Sequence, residues 1–210
     1  MSSTSNTRII SIYKSRNTIL ELLQTQGYDI SEYNQFSINE IDAMLSTSQL
    51  DMLLTHTTNE KKVYVKYYLG AKQFRPPNLY NILEDLYDIH AVLTPRDTLI
   101  IIIEDEPNET ILSKIKYLFD REGKFVVIHN IARLQFNLLN HTLVPKMNIL
   151  TKEEVDELKT KYHIKDLSQL GEIDRFDPQA LAMCMRPGDV GEFHRKSATA
   201  VITKYYRACV

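Results

Sequence analysis

Residues 99–103, Leu-Ile-Ile-Ile-Ile, are the longest apolar run in the chain, and they limit its fold more than any other feature. The run is far shorter than the roughly 20 residues needed to cross a bilayer, which excludes it as a membrane span. Within TLIIIIED it reads as a continuous apolar strand, the pattern of a strand covered on both faces. The flanking stretches can supply that cover, since RPPNLYNILEDLYDIH and NETILSKIKYLFDREG both have helical spacing. A central strand flanked by helices, an α/β domain, is therefore expected for residues 1–140.

The rest of that region fits the same plan. A first helix is expected over about Thr7 to Gln26, with Ile9, Ile12, Ile19, Leu22 and Leu23 on its apolar stripe and Gly27 as its stop. A second is expected over Ile38 to Leu45. DMLLTHT and KKVYVKYYL, rich in branched and aromatic residues around TNEK, predict an antiparallel pair. KFVVIH and LQFNLL read as further strands. From His141 the order becomes strand, capped helix, polar connection, short helix and two terminal strands. Leu150, Thr151, Glu154 and Val155 stand at N′, N-cap, N3 and N4, a capping box with a hydrophobic staple. Asp177-Pro178 starts the short helix, with Asp as N-cap and Pro at N1. RPGD predicts a turn, and VGEFHR and VITKYYRACV are strands joined through KSATA. Two unlike domains are expected, 1–140 and 141–210, the second a small α+β domain.

Composition narrows the function more by exclusion than by assignment. The net charge of −2 implies no partner by itself, and 43% apolar residues suffice for a core in each domain. The opening MSSTSNTRII is polar where a secretory signal would be apolar, so a reducing compartment is expected, with Cys184 and Cys209 as free thiols. No metal site or cofactor is expected, because Cys184, His194 and Cys209 are scattered and no two histidines fall at i, i+4. Neither a glycine-rich phosphate loop nor a G-x-S-x-G elbow is present.

Two patterns in the first domain could carry chemistry. Asp51 followed by Glu60-Lys61-Lys62 has the order in which metal-dependent nucleases place two carboxylates for Mg²⁺ and a lysine for the attacking water. A charged hairpin turn explains the same residues. In KKVYVKYYL, Val63, Val65 and Tyr67 alternate with Lys62, Tyr64, Lys66 and Tyr68. Lysines beside aromatics could meet a nucleic-acid backbone, whereas lysines on an edge strand would be a guard against unwanted pairing.

The C-terminal third carries a family likeness. HTLVPKMNILTKEEVDELKTKYHIK, DPQALAM and RPGDVGEFHRKSATAVITKYYRACV resemble the assembly domain of the fifth subunit shared by eukaryotic nuclear RNA polymerases, whose archaeal counterpart is this domain nearly alone. The matching residues are His141, Leu143, Val144, Pro145, Asp177, Pro178, Gly188, Val190, Arg195, Ser197, Thr199, Tyr206 and Arg207. The first 140 residues are similar in outline to the eukaryotic form's N-terminal jaw, which has an endonuclease-like fold without nuclease activity. The resemblance implies a non-catalytic subunit of a multisubunit DNA-directed RNA polymerase. Its C-terminal domain would dock on the largest subunit beside neighbouring small subunits, and its jaw would lie near downstream duplex DNA.

Partner contact is then expected through His141, Pro145, Asp177, Pro178, Gly188, Arg195, Ser197, Thr199, Tyr206 and Arg207. Weak, sequence-independent DNA contact is expected through Lys61, Lys62, Lys66, Lys72, Arg75, Lys114 and Lys116, and no membrane is involved. The family often has Gly where this chain has Cys184, and a Glu and a second Gly where it has Ala198 and Val201. Its Thr-Pro-rich loop toward DNA is replaced by EDEPNET, whose Glu104, Asp105, Glu106 and Glu109 would repel phosphate. The divergence, with a composition heavy in Ile, Asn, Lys and Tyr, suits a large DNA virus, which would place the protein in a virion or host-cell transcription compartment. A cellular member would be nuclear. A metal-dependent nuclease and a polymerase-binding adaptor are the alternatives.

Overall fold

The computed structural model describes residues 2–70 and 73–210, and the chain divides into two compact units, one up to Asn137 and one from Leu138 to Val210. The first unit opens with helix α1 (Ser2–Thr25), which begins ahead of the expected Thr7. Its buried side chains Ile12, Ile19, Leu20, Leu22 and Leu23 recur at helical spacing. Arg16 is buried on the same helix. Its Nη1 donates to the Leu50 carbonyl at 2.8 Å, and its guanidinium lies 5.8 Å from the Tyr33 ring and 5.4 Å from the Phe36 ring. Helix α2 (Ile38–Ser46) follows, closed by a Ser37–Glu40 capping box.

The strands β1 (Met52–Thr55), β2 (Lys62–Tyr68), β3 (Thr98–Ile103) and β4 (Phe125–Asn130) form one sheet in the order β1-β2-β3-β4. β1 and β2 pair antiparallel as a hairpin, and β2, β3 and β4 run parallel. Parallel neighbours need crossovers. These are α3 (Pro76–Leu83), which continues into a π-helical turn at Glu84–Ile89, and α4 (Glu109–Glu122). All six residues of β3 are buried, as the continuous apolar run requires, and so are all six of β4.

Two sequence expectations fail here. β2 lies between β1 and β3, so its lysines do not guard an edge; the pairing partner that encloses it starts about 30 residues later, out of reach of any local pattern. LQFNLL is not a strand. Residues 131–134 and 138–140 are 3₁₀ turns, the first started by Asn130, whose side-chain oxygen accepts the Ala132 N–H at 2.7 Å. The buried Ile131 and Leu134 are three apart, a helical spacing, and Gln135 bonds the Ile131 and Ser11 carbonyls instead of a strand neighbour.

The second unit contains β5 (Lys146–Ile149), α5 (Lys152–Tyr162), β6 (Gly171–Ile173), α6 (Pro178–Ala182), β7 (Val190–Ser197) and β8 (Val201–Cys209). Its sheet has the order β5-β7-β8-β6, with β6 parallel to β8 and the other pairs antiparallel. Met147, Ile173, Ala180, Met185, Phe193 and Cys209 make the core, and Phe193 stacks on Tyr205 with centroids 5.0 Å apart. Gly191 is required by close approach, since a Cβ there would stand 2.9 Å from the Phe193 ring. The Thr151–Glu154 capping box starts α5, and Asp177 caps α6 with Pro178 at its first position, both as the sequence predicts. β6, in the expected polar connection, was not anticipated.

Cys184 and Val201 both adopt a glycine-like backbone. Cys184 has φ +50° at the end of α6, where Met185 N–H bonds the Ala180 carbonyl and Cys184 N–H bonds the Leu181 carbonyl, a Schellman closure. Val201 has φ +58° at the β7–β8 turn. Each carries a side chain in the left-handed region that L-residues disfavour.

Candidate partner-docking surface

The HTLVP segment is a turn that exposes its leucine. His141 Nδ1 accepts the Leu143 N–H at 3.2 Å, and the His141 carbonyl accepts the Val144 N–H at 3.0 Å. Leu143 is consequently 86% exposed. The Pro145 carbonyl accepts from Gln179 Nε2 at 2.7 Å, which ties the end of the turn to α6. The Asp177 carboxylate caps the Gln179 N–H at 2.8 Å. Gly188 sits in the Arg186–Asp189 turn with φ +92° and no atom within 4 Å of a would-be Cβ, so its requirement is conformational. Val190 is fully buried. Asp177, Pro178, Gly188 and Val190 thus build the unit, while His141, Leu143, Arg195 and Thr199 are exposed at its surface.

The β7–β8 register then assembles a polar cluster that no linear motif reveals. Glu192 lies opposite Tyr206, and His194 opposite Lys204. The Glu192 carboxylate accepts from His194 Nε2 at 2.7 Å, Tyr206 OH at 3.0 Å and Lys204 Nζ at 3.0 Å. These hold its pKa down at about 2, the His194 bond being the largest cause. Desolvation, then the same carboxylate, pushes the Tyr206 hydroxyl up to about 12. Arg207 donates Nη1 to the Glu172 carbonyl at 3.1 Å and lies 5.7 Å from the Tyr205 ring. At the turn, Ser197 Oγ accepts the Thr199 and Ala200 N–H groups at 3.4 Å each. Beyond this turn stand Val201 and Ile202, 78% and 58% exposed.

The family model for "RNA polymerase Rpb5, C-terminal domain" matches residues 136–209, nearly the whole of this unit. A "DNA-directed RNA polymerase subunit Rpo5" from Thermococcus kodakarensis is 47% identical over 79 residues, which are 38% of this chain and 95% of that protein. The chain belongs to the Rpb5 family. Similarity also extends beyond the matched unit. The "DNA-directed RNA polymerases I, II, and III subunit rpabc1" of Dictyostelium discoideum is 29% identical over 201 residues, covering 93% of this chain and 95% of that protein. The Caenorhabditis briggsae "DNA-directed RNA polymerases I, II, and III subunit RPABC1" is 38% identical over 92 residues, 43% of each chain.

In the first unit the basic residues named from sequence do not form one uniform patch. Lys66 is ion-paired with Asp51, Lys62 donates its N–H to Asp97 at 2.7 Å, and Lys61 and Arg75 are exposed. Lys72 lies outside the described residues. Lys114 and Lys116 are both exposed, but they flank the buried Ile115 on opposite sides of α4 and cannot share a face. The Lys114 ammonium is 5.9 Å from the Tyr117 ring. The acidic loop before α4 is partly neutralised, since Arg8 pairs with Glu104 at 2.8 Å and Arg133 with Glu106 at 3.1 Å.

The geometry also disposes of the nuclease pattern. Asp51 precedes Met52, which pairs with Val65, whereas Lys62 pairs with Thr55 at the other end of the hairpin. Four residues of strand, about 13 Å, separate Lys62 from Lys66, the residue that holds the Asp51 carboxylate. That carboxylate also accepts from Tyr64 OH at 3.2 Å and the Tyr67 N–H at 3.0 Å. Asp51 is thus a structural clasp on the hairpin. Among the described residues no group of three or more His, Cys, Asp or Glu is placed to hold a metal ion.

Proposed function

We propose that this chain is a non-catalytic subunit of a multisubunit DNA-directed RNA polymerase, with the catalytic residues on other subunits. The observation that carries the reading is the family match over residues 136–209, together with 47% identity spanning 95% of a relative named as such a subunit. In this reading the second unit docks on the largest subunit and neighbouring small subunits. The 86% exposure of Leu143 within a family-matching turn supports that, because an apolar side chain held out by a self-bonded turn suits a partner pocket. Arg207 suits a carboxylate of the partner, since a guanidinium can pair with it through two N–H groups at once. The location proposed is nuclear for a cellular chain and a virion or host-cell transcription compartment for a viral one.

The first unit is proposed as an endonuclease-like jaw without nuclease activity, lying near downstream DNA. Its contact with phosphate would be electrostatic and blind to sequence. The nuclease alternative finds no support, because Asp51 and Lys62 stand at opposite ends of the β1–β2 hairpin. An adaptor that binds polymerase substoichiometrically is the remaining alternative.

Expression of residues 138–210 beside the largest subunit tests the docking reading. We expect the fragment to associate at micromolar concentration or tighter, and Leu143→Asp or Arg207→Ala to weaken association at least tenfold while leaving DNA binding by the assembled enzyme unchanged. Failure of the unaltered fragment to associate, while the full chain does, would move the docking site out of this unit.

A further inference from the structure

The β7–β8 hairpin outruns the sheet that holds it. β5 pairs with β7 only through Gly191–His194, and β6 pairs with β8 only through Arg207–Cys209. Residues 195–206 therefore form a two-stranded ribbon, an arrangement that is marginal alone in water. The direction of its free backbone groups follows from the hydrogen bonds at the strand's end. Cys209 N–H bonds Asp189, on the β7 side, while Val210 N–H bonds Ile173, on the β6 side. Alternation along β8 then points Ile202, Lys204 and Tyr206 toward the side where β6 has ended. The Ile202 N–H turns back onto the Ala200 carbonyl. The Lys204 N–H and carbonyl face outward, with no strand beside them among the described residues.

Exposed edges of this kind invite a further strand, and chains that avoid pairing interrupt them with proline, a bulge or inward charge. No proline or bulge interrupts residues 201–206, and the one guard there is an edge lysine, Lys204, which disfavours apolar and basic strands but not an acidic one. Side-chain chemistry specifies the guest. Arg195, Lys196 and Lys204 are exposed along the ribbon, which contains no acid, and Glu192 just before it is already engaged by His194, Lys204 and Tyr206. A second copy of the same edge would set lysine against lysine, which disfavours self-pairing.

We propose that the outer edge of β8 at residues 202–206 receives an extended, acidic segment of another polymerase subunit as an added strand, extending the sheet where β6 stops. This rests on the subunit reading above and specifies how the partner is held. The backbone would supply affinity, and Lys204, with Lys196 on the same face of the ribbon, would select acidic side chains at alternate positions of the guest.

Hydrogen exchange of the full chain, free and in the assembled polymerase, tests it amide by amide. The amides of Lys204 and Tyr206, facing the open edge, should exchange at least tenfold more slowly in the assembly. Lys204→Pro removes an outward N–H along with the exposed Lys204–Glu192 ion pair, which Lys204→Ala removes as well; it should leave the free fold intact, yet weaken assembly at least tenfold, and more than Lys204→Ala. A formed assembly in which the Lys204 amide exchanges as in the free chain would overturn the added strand and leave the subunit reading standing. If no assembly forms, the subunit reading falls, and a synthetic decapeptide alternating glutamate and valine decides the edge alone. Slowed exchange at Lys204 with that peptide would support the edge, and unchanged exchange would overturn it.

Discussion

Cys184 and Val201 show a single side chain held in a backbone conformation that favours glycine. Both keep left-handed φ values, +50° and +58°, at positions where the resemblance places glycine. Relief of that strain is offset in part by the greater freedom glycine gives the unfolded chain. We expect Cys184→Gly to stabilise the second unit by about 1 kcal/mol in urea denaturation. Val201→Gly should do at least as well, because a β-branched residue fits this region poorly. His129 sets a pH response in the other unit. It is buried, and burial, followed by the nearby Arg133, lowers its pKa to about 4. The unfolded chain takes up this proton near pH 6.5 and the folded chain only near 4. Stability from neutral His129 is therefore complete above pH 6.5 and declines as pH falls toward 4, by at most about 3 kcal/mol. Denaturation of His129→Leu across that range should show a flatter acid limb. Glu192 acts lower, its contribution complete above pH 4.5 and lost as pH falls toward 2.

Among the elements, the β1–β2 hairpin depends on one carboxylate. Asp51→Ala would strip partners from the Lys66 ammonium and the Tyr67 N–H together. We expect a loss of about 2–3 kcal/mol, measured by thermal or urea melting of the full chain. Elements like the α5 and α6 starts were legible in sequence because a cap is an arrangement between residues two or three apart, such as Thr151 with Glu154 and Asp177 with Gln179. The alternation of β2 was legible for the same reason. What escaped was non-local. β6 is three residues long and exists because β8, some 35 residues later, lies beside it. The enclosure of β2 was decided by β3, and LQFNLL was misread because short apolar stretches fit either period. The surface shows the same division. Tyr206 and Arg207 were reached through family resemblance alone, while Glu192 passed unnoticed, since its three donors converge only once the β7–β8 register is set.

For the whole molecule, the proposed docking and DNA-facing roles fall on different units, so they can be tested apart. If the first unit approaches downstream DNA, loss of one phosphate contact should lower the salt slope of elongation-complex stability by about one unit without altering sequence preference. Lys114 and Lys116 lie on opposite flanks of α4, so single replacements should differ and at most one should carry the effect. A salt series on each variant in the assembled enzyme separates them, and equal slopes in both variants and the parent would remove α4 from the DNA-facing surface. The central claim is membership of the polymerase as an integral part, and its most direct test is stoichiometry. Quantitative mass spectrometry of the polymerase, purified through its largest subunit under stringent salt, should find one copy of this chain per largest subunit. A persistently substoichiometric yield, or loss of the chain while the remaining small subunits are retained, would contradict it.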